Sequence, residues 1–263
     1  MSFEYNSYKM FSHATRHRNR YIHDEKVMTF LDKVYETSKE RETTIKKGTP
    51  LWRAQIGETT VLREIIVSED GDEASYVERC PYKSERMKPR LKFATEGRAN
   101  PKGIPYLYLA TKKKTAMCEI RPWVGLSISI AQFQVNKDLR IINCSVSSGK
   151  KFSHIRHKDL PGDDKRKLAV WADIDNAFSE PISLSDQTSD YAPTQILAEL
   201  FKSKGFDGVA YKSSLSTETG FNVVLFDLDA ADLFSCQLEE VESVEFKFKQ
   251  ADTPSGIYCI DNS

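Results

Sequence analysis

Between Gly97 and Glu119 the chain carries Arg98 in a turn rich in Gly and Pro, Tyr108 in an apolar run and Glu119 at the end of a helix-patterned segment. A guanidinium offers a planar fork of donors to a phosphate or pyrophosphate. A tyrosine face stacks on a flat ring, and a carboxylate stabilises positive charge developing on a sugar carbon. Arg53 lies upstream between Trp52 and Ala54, and Ser213 and Ser214 lie downstream after Tyr211-Lys212. Together these residue types suit a nucleotide with a labile glycosidic bond. Each also has a plainer use. Arg53 either points to solvent at a strand edge or is buried and needs a partner. Arg98 can brace its own turn, Tyr108 can belong to the core, Ser213 can be a turn residue, and Glu119 can be an exposed helix carboxylate.

Other chemistries lack their residues. No Walker sequence is present and no GxGxxG follows a strand; HExxH and GxSxG are also missing. The five histidines sit among Arg and Lys in polar segments, which gives little basis for a His-based triad or a zinc site, and no metal is expected. Five cysteines (Cys80, Cys118, Cys144, Cys236 and Cys259) form no CxxC pair, and an odd number fits a disulfide framework poorly. A reducing, cytoplasmic location is the expectation, with no apolar run long enough to span a bilayer.

Several elements must position these groups. Tyr106 to Ala110 reads as a strand, followed by a helix that Thr111 can cap and that presents Ala116, Met117 and Ile120 on its apolar side. Lys112 to Lys114 would oppose that helix's dipole, which exposure or an anionic neighbour would relieve. Leu51 to Ala54, Leu126 to Val135, Leu139 to Cys144, Gly208 to Tyr211, Val223 to Phe226 and Val241 to Phe248 are further strand candidates. Helices are expected over Glu25 to Ser38, Ala169 to Phe178 and Thr194 to Lys204, the last stopped by Gly205. The polar stretch from Met1 to His23, residues 68–92, and the basic span from Lys150 to Lys167 read as loops or surface extensions.

Strands in clusters rather than a regular βαβ alternation give an α+β class. With 263 residues, one core with decorations is expected: a basic, partly helical extension over 1–50, a main domain over 51–235, and a strand and tail over 236–263. Lys+Arg and Asp+Glu both number 38, so no overall field recruits nucleic acid or an anionic membrane.

The residues singled out above recur, in order, in one family: the chain resembles RES domain proteins, named for an Arg, a Glu and a Ser. Arg53 in Leu51-Trp52-Arg53 matches the first, Glu119 in Thr115-Ala116-Met117-Cys118-Glu119 the second, and Ser213 after Gly208-Val209-Ala210-Tyr211-Lys212 the third. Gly97-Arg98-Ala99-Asn100-Pro101-Lys102-Gly103 resembles the family's Gly-Arg-aromatic-Asn-Pro-x-Gly turn, with Ala99 in place of the aromatic. Tyr108 stands at the strand tyrosine, and the segments Tyr191 to Gln195 and Asn222 to Phe226 also match, so the likeness runs from about Leu51 to Asp227. Lys212 stands where proline is common, which leaves open whether Ser213 or Ser214 faces the ligand.

The resemblance implies a compact mixed-sheet core like that of NAD-dependent ADP-ribosyltransferases. It also implies a toxin that consumes NAD+ by hydrolysis or phosphorolysis and is neutralised by a helix-turn-helix antitoxin of the Xre type. Transfer of ADP-ribose to a protein and an inactive interaction module are the alternatives. Glu119, Arg53 and Ser213 would then form the catalytic set. Arg53, Arg98, Tyr108, Ser213 and Asn222 would hold NAD+, with Arg98 on the pyrophosphate or ribose hydroxyls and Tyr108 on the nicotinamide side. No membrane or direct nucleic-acid partner is implied, and the oligomeric state and the acceptor stay open.

Overall fold

A computed structural model describes residues 3–66, 73–145, 162–180, 188–215 and 219–246. The N-terminal region holds two helices, α1 (Ser7–His17) and α2 (Glu25–Ser38). Helix α2 has the bounds expected from its apolar periodicity, and Asp24 caps it by accepting the Val27 amide at 2.9 Å. Helix α1 was not expected in so polar a stretch. It forms because Tyr8 and Phe11 bury one flank against Phe30 of α2, with the Phe11 and Phe30 rings stacked at 4.6 Å.

Eight strands form one mixed sheet. They are β1 (Glu42–Ile45), β2 (Pro50–Ile56), β5 (Leu107–Ala110), β6 (Ser127–Val135), β7 (Leu139–Asn143), β8 (Gly208–Lys212), β9 (Phe221–Leu225) and β10 (Ala231–Glu240), in the order β1-β7-β8-β9-β5-β2-β6-β10. Only β7 and β8 run parallel; the other neighbours are antiparallel. The class is α+β, as expected. Helices α5 (Asp163–Ser179) and α6 (Ala192–Ser203) join α1 and α2 over one face, where Trp171, Ile174, Phe178, Leu197 and Phe201 pack on Val209 and Val224. The opposite face closes around Leu51, Leu107, Phe133, Ile141 and Leu225. Strands β8 and β9 therefore read as unbroken apolar runs, because both of their faces are covered. Full burial of each large apolar side chain contributes about 1.5–3 kcal/mol.

Several expectations are corrected. Residues 68–92 are not a loop throughout: β4 (Glu73–Cys80) pairs with β3 (Thr59–Ile66) as a separate ribbon, and a short helix α3 (Ser84–Met87) follows. Among the described charges, Arg63 and Glu78 form an exposed cross-strand pair at 2.6 Å, while Glu69, Asp70 and Asp72 lie outside the described residues. No strand continues over residues 241–246, because β6, the partner of β10, ends opposite Glu240 at Ser127. Thr111 does not cap the next helix, α4 (Lys113–Glu119). Lys112 occupies that position and its side chain does not cap the helix, and Thr111 Oγ1 instead accepts the Phe221 amide at 3.0 Å. Lys113 finds the anionic neighbour its position calls for in Glu239 on β10.

The sheet also crosses the domain limits at 50 and 235. Strand β1 comes from the N-terminal extension and pairs with β7, and β10 continues through residue 235 with a register shift between Leu233 and Ser235. Most of the basic span Lys150 to Lys167 lies outside the described residues. Among the described residues no helix is long and apolar enough to cross a membrane.

Candidate functional site

Four neighbouring strands converge on one row of residues. Tyr211 of β8 lies opposite Asn222 of β9, Asn222 opposite Ala110 of β5, and Ala110 opposite Trp52 of β2. Strand β2 pairs with β6 along its whole length, Pro50 to Ile56, but with β5 only at Trp52. The sheet opens where β5 and β2 part. In that opening Arg53 Nη1 donates to the Tyr108 carbonyl at 3.2 Å, taking the acceptor that a longer ladder would have used.

Helix α4 lies across this opening and delivers Glu119. Gly220, just before β9, makes the approach possible: a Cβ there would lie 1.9 Å from Thr115 Oγ1 of α4. Glu119 Oε1 accepts two hydrogen bonds, from Ser213 Oγ at 2.7 Å and from Asn222 Nδ2 at 2.8 Å. Two donors on one oxygen fix the carboxylate's orientation and leave Oε2 for another partner. Ser214 turns the other way and donates to the Ser179 carbonyl at 2.6 Å, so Ser213 is the serine on the Glu119 side.

The cavity beside Glu119 holds about 240 Å³ and is bordered by Trp52, Arg53, Tyr108, Tyr211 and Asn222. Arg53 is half-buried as a residue, yet its Nε is enclosed and has no hydrogen-bond partner. Burial pushes its pKa down to about 10, and no ion pair with a carboxylate is recorded for it among the described residues. A cation held this way is stabilised when an anion enters beside it.

Tyr108 borders this cavity, and its hydroxyl donates to Asn100 Oδ1 at 2.7 Å and accepts the Ala99 amide at 3.0 Å. Burial raises its pKa, which keeps the phenol protonated for that donation. Asn100 Nδ2 donates to the Thr95 and Ile104 carbonyls, and Gln195 Nε2 clamps the Gly97 and Asn100 carbonyls at 2.9 and 3.0 Å. Gly97 is required where it stands, since a Cβ would lie 2.6 Å from the Tyr108 hydroxyl oxygen. The turn is thus a braced wall behind Tyr108.

The structure brings Arg53, Tyr108, Glu119, Ser213 and Asn222 together and leaves Arg98 out. Arg98 was expected on a pyrophosphate or ribose. Instead its Nη1 donates to the Phe178 carbonyl at 2.6 Å, near the C-terminal end of α5, and it neighbours the Tyr211 hydroxyl. The exposed carbonyls and negative dipole end of α5 draw the guanidinium away from the cavity. Ala99, in the place of an aromatic, is fully buried in the helix-side core and borders no cavity described here. Sequence reasoning missed Tyr211 and Trp52 as cavity walls; their strand positions, two residues before Ser213 and one before Arg53, were the available signal. Gln195 was noted only within a matching segment, and its clamping role depends on contacts with residues far off in the chain.

No curated protein matches the chain. A solved structure of the M. tuberculosis MbcT–MbcA toxin–antitoxin complex contains a chain that is 14% identical to this one, with a TM-score of 0.38 over 81% of this chain and 94% of that one. The family model described as the RES domain matches residues 77–249, a span that carries Tyr108, Glu119, Ser213 and Asn222, while Arg53 joins them from β2. The chain belongs to the RES domain family.

Proposed function

We propose that this protein cleaves the nicotinamide–ribose bond of NAD+ and acts as a toxin restrained by an antitoxin of the Xre type. The observation that carries the reading is the orientation of Glu119 by Ser213 and Asn222 in the wall of a cavity also lined by the half-buried Arg53, whose Nε has no hydrogen-bond partner. In this reading the C1′–N bond breaks with its electron pair going to the nicotinamide nitrogen. Nicotinamide leaves as a neutral ring and needs no acid. Glu119 faces the positive charge left on C1′ and the ribose oxygen, through the oxygen that Ser213 and Asn222 leave free. Arg53 balances the pyrophosphate, and Tyr108 and Trp52 offer flat faces to the nicotinamide. Water or phosphate then adds at C1′ and loses a proton to solvent.

The test is to incubate purified protein with NAD+, with and without inorganic phosphate, and to identify the products by chromatography. Free nicotinamide with ADP-ribose, or with its 1-phosphate when phosphate is added, is the expected result. Intact NAD+ under both conditions would overturn the reading. Transfer to a protein acceptor is the second reading. It is favoured by an exposed apolar patch beyond the end of α4, where Trp123 and Val124 are 66% and 62% exposed. It predicts that labelled ADP-ribose becomes bound to a macromolecule when lysate is added.

A further inference from the structure

A second, larger cavity of about 510 Å³ shares Arg53 and Tyr108 with the first as lining residues. Its outer wall comes from residues 86–97, which follow the β3–β4 ribbon. Arg86, Lys88 and Arg90 line it, together with Phe93, which is 74% exposed. Glu96 is the carboxylate among the lining residues.

The two arginines are held in place without being neutralised, whereas Lys88 is paired with a carboxylate. Met87, between two of them, is fully buried in the sheet core, and the Arg86 carbonyl accepts Gln55 Nε2 at 3.1 Å. The Arg86 guanidinium lies over the Tyr82 ring at 4.3 Å. Arg90 Nε reaches only the Glu85 carbonyl at 3.4 Å, and Glu85 feels its charge without pairing. Lys88 makes a long contact of 3.5 Å with Asp229, which is itself largely exposed. Neither Arg86 nor Arg90 has a recorded ion pair among the described residues.

The charge count bears on the ligand. If a dinucleotide places its nicotinamide riboside beside Glu119 and its pyrophosphate at Arg53, the adenosine half reaches this second cavity. An adenosine carries no charge of its own, so the charge of Arg86 and Arg90, with Lys88 paired to Asp229 and Glu96 as the lining carboxylate, exceeds what NAD+ requires there. An added phosphate on the distal ribose would meet that excess, with the adenine ring against Phe93. We propose that the cavity walled by Arg86, Lys88 and Arg90 binds the distal nucleotide half of the substrate and selects a dinucleotide bearing an extra phosphate on that ribose. The proposal rests on the dinucleotide reading of the Glu119 site and extends it to substrate choice.

Binding of adenosine 2′,5′-bisphosphate, which has the distal half and no scissile bond, is the direct probe, with adenosine 5′-monophosphate as comparison. Calorimetry on the full chain should show the bisphosphate binding at least about tenfold tighter at low salt, with a steeper loss as salt rises, since exposed charge pairs are screened. The Arg86→Ala/Arg90→Ala variant removes two exposed side chains and should keep the wild-type melting temperature. It should lose that preference, while Glu119→Gln retains it. Equal affinities for the two nucleotides in the wild type, or an unchanged preference in the double variant, would overturn the proposal. The two readings fail separately: intact NAD+ at saturating concentration alongside the expected bisphosphate binding would refute the cleavage reaction and leave the binding cavity standing. Cleavage with no bisphosphate preference would do the reverse.

Discussion

Glu119→Gln is the sharpest probe of the proposed chemistry, because it removes charge and little else. The amide is isosteric with the carboxylate, and its carbonyl oxygen can still accept the bonds that Ser213 and Asn222 make at 2.7 and 2.8 Å. Those bonds become neutral rather than charge-assisted, a loss of about 1 kcal/mol in stability. The effect on catalysis is larger. A carboxylate about 4 Å from a unit positive charge, at an effective dielectric constant of about 20, contributes about 4 kcal/mol. Losing it slows bond cleavage on the order of 10³-fold. Single-turnover release of nicotinamide measures the rate, and thermal melting checks the fold, with a fall of about 2–4 °C expected. A folded Glu119→Gln protein cleaving NAD+ within about tenfold of wild type would refute the role of the carboxylate charge.

Other perturbations separate the remaining parts of the site. Ser213→Ala removes one charge-assisted bond to Glu119, worth about 1.5–3 kcal/mol, and should lower kcat about ten- to a hundredfold, whereas Ser214→Ala, facing Ser179, should leave kcat nearly unchanged. Arg53 carries its charge across the neutral range, so substitution is the way to remove it: Arg53→Met should weaken ADP-ribose binding, followed by calorimetry, about tenfold or more, and Arg53→Lys, which keeps the charge but loses the planar fork, should weaken it less. Asp175, on α5, is buried with its Oδ1 unpartnered, and burial raises its pKa, so its ionised form costs stability at neutral pH and its protonated form does not. Asp175→Asn should therefore raise the melting temperature at pH 7, and the gain should shrink as the pH falls toward the unfolded value of about 3.9.

Local pattern was enough for much of this architecture. The apolar spacing of α2, the unbroken runs of β8 and β9, and the strand–helix order around Tyr108 and Glu119 are set by side-chain periodicity and capping, which act over a few residues. Helix α1 and the β3–β4 ribbon were illegible for the complementary reason. Their sequences lack a decisive local period and are stabilised by partners elsewhere, Phe30 for α1 and the facing strand for the ribbon.

The same division runs through the site. The residue types alone indicated anion binding and a carboxylate for a developing cation, and placed Arg53, Glu119 and Ser213 among the candidates. What they could not determine was direction. Ser213 meets Glu119 across 94 residues of chain because the register of β8, β9 and β5 aligns Tyr211, Asn222 and Ala110, and the bonds formed are long-range. Arg98 is two residues from the braced Asn100, yet it turns to α5, since the open carbonyls at that helix end exist only once the helix has packed. Arg53 is a cavity cation rather than an edge residue because β2 leaves β5 after one pairing, which no spacing within β2 records. Side-chain chemistry is a property of the residue; which groups share a cavity is decided by strand register and helix docking.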